Sequence, residues 1–213
     1  MVPLMNRSKV HRASAQRRRA SLLEAAADLS AEVGAGSVTH RAIAARADVP
    51  LSTTSYFFES IGEIMTEALR GASAARVDDF DTAERAALLD SASTDEVISA
   101  VAASEVGGSR TVQAAQVEFY LAAGRTPELR PEVALSLTRL AERIQIHLDR
   151  RGAPQAGPAS TALLSLADGE MLHRLSGVDL DHMARLIDGV RIVLAAAQLT
   201  DDEITALLAR YDT

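Results

Sequence analysis

The chain has 213 residues, enough for one large domain or two small ones, and an apolar fraction of 47% is ample for a buried core. Aromatics make up only 3%, so the core must come from Leu, Ile, Val and Ala, which favours helix packed on helix over a β-sandwich, and the absence of cysteine excludes disulfides and thiolate metal sites. The net charge of −7 argues against nucleic acid until it is split along the chain: residues 1–19 hold six Lys/Arg and no Asp/Glu, whereas residues 71–213 hold 13 Arg against 22 Asp/Glu.

The basic start (Arg7, Lys9, Arg12, Arg17, Arg18, Arg19) is followed by no continuous apolar core, and no run approaches the roughly 20 apolar residues of a membrane span. A soluble, cytoplasmic protein without a membrane partner is therefore expected. Residues 1–14 read as a flexible basic arm, and on charge alone a contact with phosphate and a solvated tail are equally good readings. Leu22, Ala26, Leu29 and Val33 then form one helical stripe that stops at Gly34-Ala35-Gly36. Thr39 can cap a short helix carrying Ile43 and Ala47, which breaks at Asp48-Val49-Pro50, and a second short helix runs from Leu51 to Phe58. Ser60-Ile61-Gly62-Glu63 has the form of a capping box, opening a helix through Ile64, Met65, Ala68 and Leu69 toward Phe80.

Further on, Ser91 to Thr94 is a small-residue break before a helix with Val97, Ile98 and Val101. Gly107-Gly108-Ser109 separates that helix from one through Val117 and Leu121. After Pro127, Val133, Leu137, Leu140, Ile144 and Leu148 share a stripe that ends in Arg150-Arg151-Gly152, with cations in the last turn and glycine beyond. Pro154 to Pro158 reads as a linker, followed by helices through Leu164 to Leu175 and Met183 to Ala197. Thr200 to Glu203 offers a second capping box. An all-α fold is expected, divided into an arm at 1–14, a module of short helices at 15–60 and a larger helical domain at 61–213.

Two short helices joined by about four residues behind a longer one make a helix-turn-helix, whose second helix enters the major groove. The run from Val38 to Phe58, VTHRAIAARADVPLSTTSYFF, resembles the DNA-binding signature of the TetR family of bacterial regulators, and with the flanking helices the resemblance covers about residues 15–70. It implies a homodimeric transcriptional repressor, with 15–60 as its DNA-binding domain and 61–213 as its helical effector-binding and dimerisation domain, that binds pseudo-palindromic operator DNA and is released by a small, largely apolar effector. Arg41, at the start of the first short helix, can reach guanine O6 and N7. Leu51, Ser52, Thr53 and Thr54 fall in the first turn of the recognition helix, and Thr39, His40, Ser55, Tyr56, Arg17 and Arg18 suit phosphates. Two departures weaken backbone contacts: many family members carry Tyr where this chain has Ser55, and Lys where it has Ile61.

In the C-terminal helices, Gln113, Gln116, Tyr120, His147 and His173 are expected to supply the few polar groups of an effector site. Leu164, Met171, Leu175, Leu186, Val190 and Val193 are expected to form a dimer surface. Glu170 and His173 share a helical face at the spacing used in di-iron bundles, but no second Glu-x-x-His exists, so a metal-dependent enzyme is the remote reading. No phosphate loop, nucleophile elbow or triad is present, and neither catalytic residues, a metal nor a cofactor is expected. A ligand-independent regulator or activator is the nearer alternative.

Overall fold

A computed structural model of the chain describes residues 5–71, 74, 93, 95–96, 98–99, 102–103 and 108–210, with side chains from residue 12 on. Every regular element among them is helical: α1 (Met5–Val33), a 3-10 turn (Ala35–Ser37), α2 (His40–Arg46), α3 (Leu51–Phe57), α4 (residues 61–71), α5 (Arg110–Arg125) and a second 3-10 turn (Pro127–Leu129). Then come α6 (Arg130–Arg150), α7 (Ala156–Leu175), α8 (His182–Ala196) and α9 (Asp201–Leu208). The continuation toward Phe80 lies outside the described residues.

Local chemistry sets most of these boundaries. Gly34 ends α1 at a φ of 80°, a left-handed conformation that side-chain-bearing residues seldom adopt, and Gly152 closes the turn after α6 at φ 74°. The Thr39 hydroxyl accepts the Ala42 N–H at 3.2 Å, while Asp181 caps α8 through Ala184 at 3.0 Å. Thr200 and Glu203 form a complete capping box. The Ser60 hydroxyl accepts the Glu63 N–H, and the Glu63 carboxylate reaches back to the Glu59 N–H rather than to Ser60 itself. A further box at Ser93 and Glu96 escapes the sequence reading, although its Ser-x-x-Glu spacing is the same.

The flexible arm expected at residues 1–14 is not what the described residues show, because α1 already begins at Met5. No Gly or Pro lies between residues 5 and 33, so nothing in the backbone interrupts the helix. Arg19 is also spoken for: its guanidinium pairs with Glu67 and lies 5.0 Å from the centre of the Phe58 ring.

The described residues fall into two compact units, one within Met1–Ala75 and Ser109–Val133, the other within Arg76–Gly108 and Ala134–Thr213. In the first, Leu22, Ala25 and Ala26 of α1, Val38, Ile43, Phe58, and Ile64, Met65, Ala68 and Leu69 of α4 share one core with Phe119, Ala122 and Ala123 of α5 and with Leu129. Helix α5 thus packs with the helix-turn-helix, although its place in the sequence assigns it to the C-terminal domain. In the second unit, Leu148, Ala153, Ala156, Ala159 and Ala197 form one cluster, and Ile98, Ala102, Leu186 and Val190 form another. Helices α7 and α8 approach closely where α8 carries no side chain: a β carbon on Gly189 would lie 2.7 Å from Leu166 Cδ2.

Candidate nucleic-acid interface

Helices α2 and α3 are joined by residues 47–50, where Ala47 ends α2, Asp48 takes φ 52° and Pro50 stands at the N-cap of α3. A polar clamp fixes α2 from behind, since Arg46 donates to both carboxylate oxygens of Glu32 at 2.9 and 2.6 Å and so holds that carboxyl below its ordinary range. Buried Ile43, Ala44 and Phe58 hold the pair to the core. This geometry leaves Arg41, Leu51, Ser52, Ser55 and Tyr56 exposed, with Thr53 half-buried. Tyr56 is 80% exposed and stands edge-on to Phe57, with ring centres 4.9 Å apart.

Thr39 is exposed, its hydroxyl engaged as the cap of α2. His40 is half-buried, with Nδ1 enclosed. Arg17 and Arg18 are exposed on α1. Thr54 corrects the sequence reading: it is fully buried and its hydroxyl donates to the Leu51 carbonyl at 2.8 Å, so it faces the core and not a DNA groove.

The residues expected around an effector divide between the units. Gln113, Gln116 and Tyr120 stand on α5 in the first, whereas His147 and His173 belong to the second. Gln113 and Gln116 are buried, and Gln116 Nε2 has no hydrogen-bond partner among the described residues. His173 is turned outward, its side chain 54% exposed.

Glu170 is buried, and its carboxylate is occupied: His182 Nδ1 lies 2.8 Å away, Arg185 Nε 3.0 Å and His173 Nδ1 3.5 Å. Burial pushes its titration up, but the bonds from His182 and Arg185, the Arg185 charge and the His173 bond outweigh that and hold the carboxyl below its ordinary range. Among the described residues no three His, Cys, Asp or Glu side chains group to hold a metal ion.

The expected dimer stripe is also placed differently. Leu164, Met171, Leu186 and Val190 are buried within the single chain, and Leu175 and Val193 are half-buried. Leu186 and Val190 pack with Ile98 and Ala102, and Val193 packs against the Leu148 cluster, so these side chains serve the chain's own core. The large apolar groups left in water on the same helices are Leu172 and Ile192, the latter 71% exposed, and Thr161, Ala162 and Ser165 of α7 are exposed as well.

A family model described as "Tetracyclin repressor-like, C-terminal domain" matches residues 89–210. Among solved structures, a member of the TetR family from Streptomyces coelicolor A3, SCO1917, is 31% identical, with 82% of this chain and 96% of that chain covered and a TM-score of 0.63. The multidrug binding protein EbrR, solved in complex with ethidium, is 30% identical over 83% of this chain and 98% of that one, with a TM-score of 0.63. A transcriptional regulator from Rhodococcus sp. Rha1, 20% identical, shares the fold with a TM-score of 0.71 over 88% of this chain and 99% of its own. No curated protein sequence matches significantly. No described helix is long and apolar enough to cross a membrane. With a family model spanning more than half its length and a helix-turn-helix ahead of it, the chain belongs to the TetR family of DNA-binding transcriptional regulators.

Proposed function

We propose that the protein is a homodimeric repressor that reads a pseudo-palindromic operator and is released by a small, largely apolar effector. The observation that carries the DNA-reading half is the sidedness of α2 and α3: Ile43, Thr54 and Phe58 point inward, while Arg41, Leu51, Ser52, Ser55 and Tyr56 stay open to solvent. In this reading Arg41 bonds a guanine edge, Leu51 meets a thymine methyl and the hydroxyls take phosphates or base edges. Selection from a randomised duplex library tests it. The wild type should enrich a two-fold symmetric site, and Arg41→Ala should relax one base pair per half-site at a cost of about 1–3 kcal/mol. Equal enrichment by the two proteins would sink the assignment.

Dimerisation places the exposed Leu172 and Ile192 against a second copy, and the small Thr161, Ala162 and Ser165 let two helices approach closely. For the effector, the support is the pair of buried amides on α5 within mainly apolar helices and the likeness to EbrR, which has been solved with ethidium and with proflavin. A hundredfold loss of operator affinity needs the effector to prefer the released conformation by about 2.8 kcal/mol, and operator DNA must weaken effector binding by the same factor. Titrating ethidium with and without operator checks this: equal affinity in both titrations removes ethidium as an inducer. A broad ligand library that raises the melting temperature nowhere favours the ligand-independent regulator.

A further inference from the structure

We propose that Glu118, more than sixty residues beyond the helix-turn-helix in sequence, is a positioning residue for operator reading, and the proposal rests on the reading that α2 and α3 contact DNA. Its Oε2 accepts the backbone N–H of Ala35 at 3.1 Å, across a sequence separation of 83 residues. Ala35 is the first residue of the 3-10 turn that carries the chain from α1 to α2. The preceding Gly34 lacks a β carbon, and one placed there would lie 3.9 Å from Glu118 Oε1, so the carboxylate sits directly over the bare backbone of the turn.

The turn needs such an anchor. Between the end of α1 and the cap of α2, only Val38 is a buried apolar residue, and Ala35 is partly buried against the core. Arg46 and the buried Ile43 hold α2 farther along, so without the Glu118 bond its first turn is steadied from the α1 side by Val38 alone, and Arg41 follows Thr39, the cap of α2, by two residues. The fastening is rigid at its other end, because the next residue on α5, Phe119, is 1% exposed and shares a core with Leu22, Ile43 and Phe58. Arg125 approaches the same carboxylate, one of its guanidinium nitrogens lying 3.9 Å from Glu118 Oε2. A small swing of α2 acts selectively: hydrogen bonds to base edges weaken steeply with misalignment, whereas attraction to phosphates falls off gently with distance. Loss of the fastening should therefore lower sequence discrimination and leave general DNA affinity alone.

The test compares wild type, Glu118→Ala, Glu118→Gln, Ala35→Pro and the Glu118→Ala/Ala35→Pro pair, each checked for folding by its helical circular dichroism. Proline deletes the donor and suits this site, since Gly34 has a ψ of 142° and proline favours an extended predecessor and a helical first position. Glu118→Ala should weaken binding to the selected operator about five- to tenfold, the net worth of one ordinary hydrogen bond, with affinity for an unrelated duplex and the salt slope unchanged. Glu118→Gln, whose amide oxygen still accepts, should recover most of the loss, and Glu118→Ala should cost nothing further once Ala35 is proline. Equal losses on operator and unrelated DNA, or an undiminished loss in the Ala35→Pro background, overturn the proposal. If Glu118→Ala does not fold, Ala35→Pro carries the same comparison, and full operator affinity in that variant overturns it too. A wild type that selects no sequence overturns the operator reading itself, whereas a selective wild type with an indifferent Glu118→Ala overturns the positioning role alone.

Discussion

Removing the Glu170 carboxylate should loosen the end of the α7–α8 pair by an amount that its partners' exposure sets. Deleting one member of a fully buried ion pair costs about 3–5 kcal/mol, because the other charge is left without a partner. Here Arg185 is 49% exposed and water takes over most of its share, whereas the His182 side chain is only 10% exposed and loses the partner of its Nδ1, keeping only the Val178 carbonyl 3.2 Å from Nε2. Glu170→Ala should then cost about 2 kcal/mol, which for a chain of this size lowers the melting temperature by about 4–8 °C. Glu170→Gln, which keeps an acceptor oxygen, should cost less. The pH dependence has a definite sign. Because the folded state holds this carboxyl below its ordinary value of 4.5, its contribution is complete above that value and is lost as the pH falls through the lower folded value. In thermal melts followed by circular dichroism, the gap between wild type and Glu170→Gln should stay level near neutrality and close as the pH drops below about 4. An alanine variant that melts within a degree of wild type at neutral pH, or a gap that persists undiminished in acid, refutes this reasoning.

Val190→Asp places a charge in the chain's own core and should destabilise it by several kcal/mol in a urea melt. Ile192→Asp should leave stability nearly unchanged and shift sedimentation toward monomer. Thr54→Val removes a hydroxyl that already bonds within α3, so operator preference should be unaltered in the same selection assay, whereas Tyr56→Ala should weaken binding. Deleting residues 1–13 takes away Arg7, Lys9 and Arg12, and the slope of log affinity against log salt should become shallower by about 2 to 3 if they meet phosphate, at roughly 0.9 per cation. An unchanged slope returns them to solvent.

Local signals proved readable wherever one residue's chemistry decides a boundary, as with Gly34, Thr39, Asp48 to Pro50 and the Thr200 capping box. Partner choice did not. The stripe through Leu186 and Val190 is plainly apolar in sequence, but periodicity cannot say whether such a stripe meets its own chain or another. It meets Ile98 and Ala102, and the surface left open on these helices carries only Leu172 and Ile192 as large apolar groups among the described residues. Thr54 shows the same limit in miniature, since in the run Ser52-Thr53-Thr54 only the fold reveals which hydroxyl is turned inward and satisfied by a carbonyl three residues back. Residues 1–14 read as an arm by charge, but backbone continuity decides their form, because nothing between residues 5 and 33 breaks a helix. Nothing local announces that Glu118 and Phe119 join the helix-turn-helix, because that link is tertiary and spans some eighty residues.

That link bears on how the protein is made. The unit that presents α2 and α3 is discontinuous along the chain, and its core lacks Phe119, Ala122, Ala123 and Leu129 until those residues have been synthesised. A nascent chain must hold α1 to α4 through the synthesis of everything up to about residue 133 before the unit can close, a delay of several seconds at about 5–20 residues per second. During that interval the faces of Leu22, Ala26 and Leu69 that later meet α5 stand open to water and to chaperones. A fragment ending near residue 75 is frozen at that stage and should recover native-like helicity only when a peptide covering α5 is added, so the unit that presents α2 and α3 is complete only after a helix made well behind them in the chain.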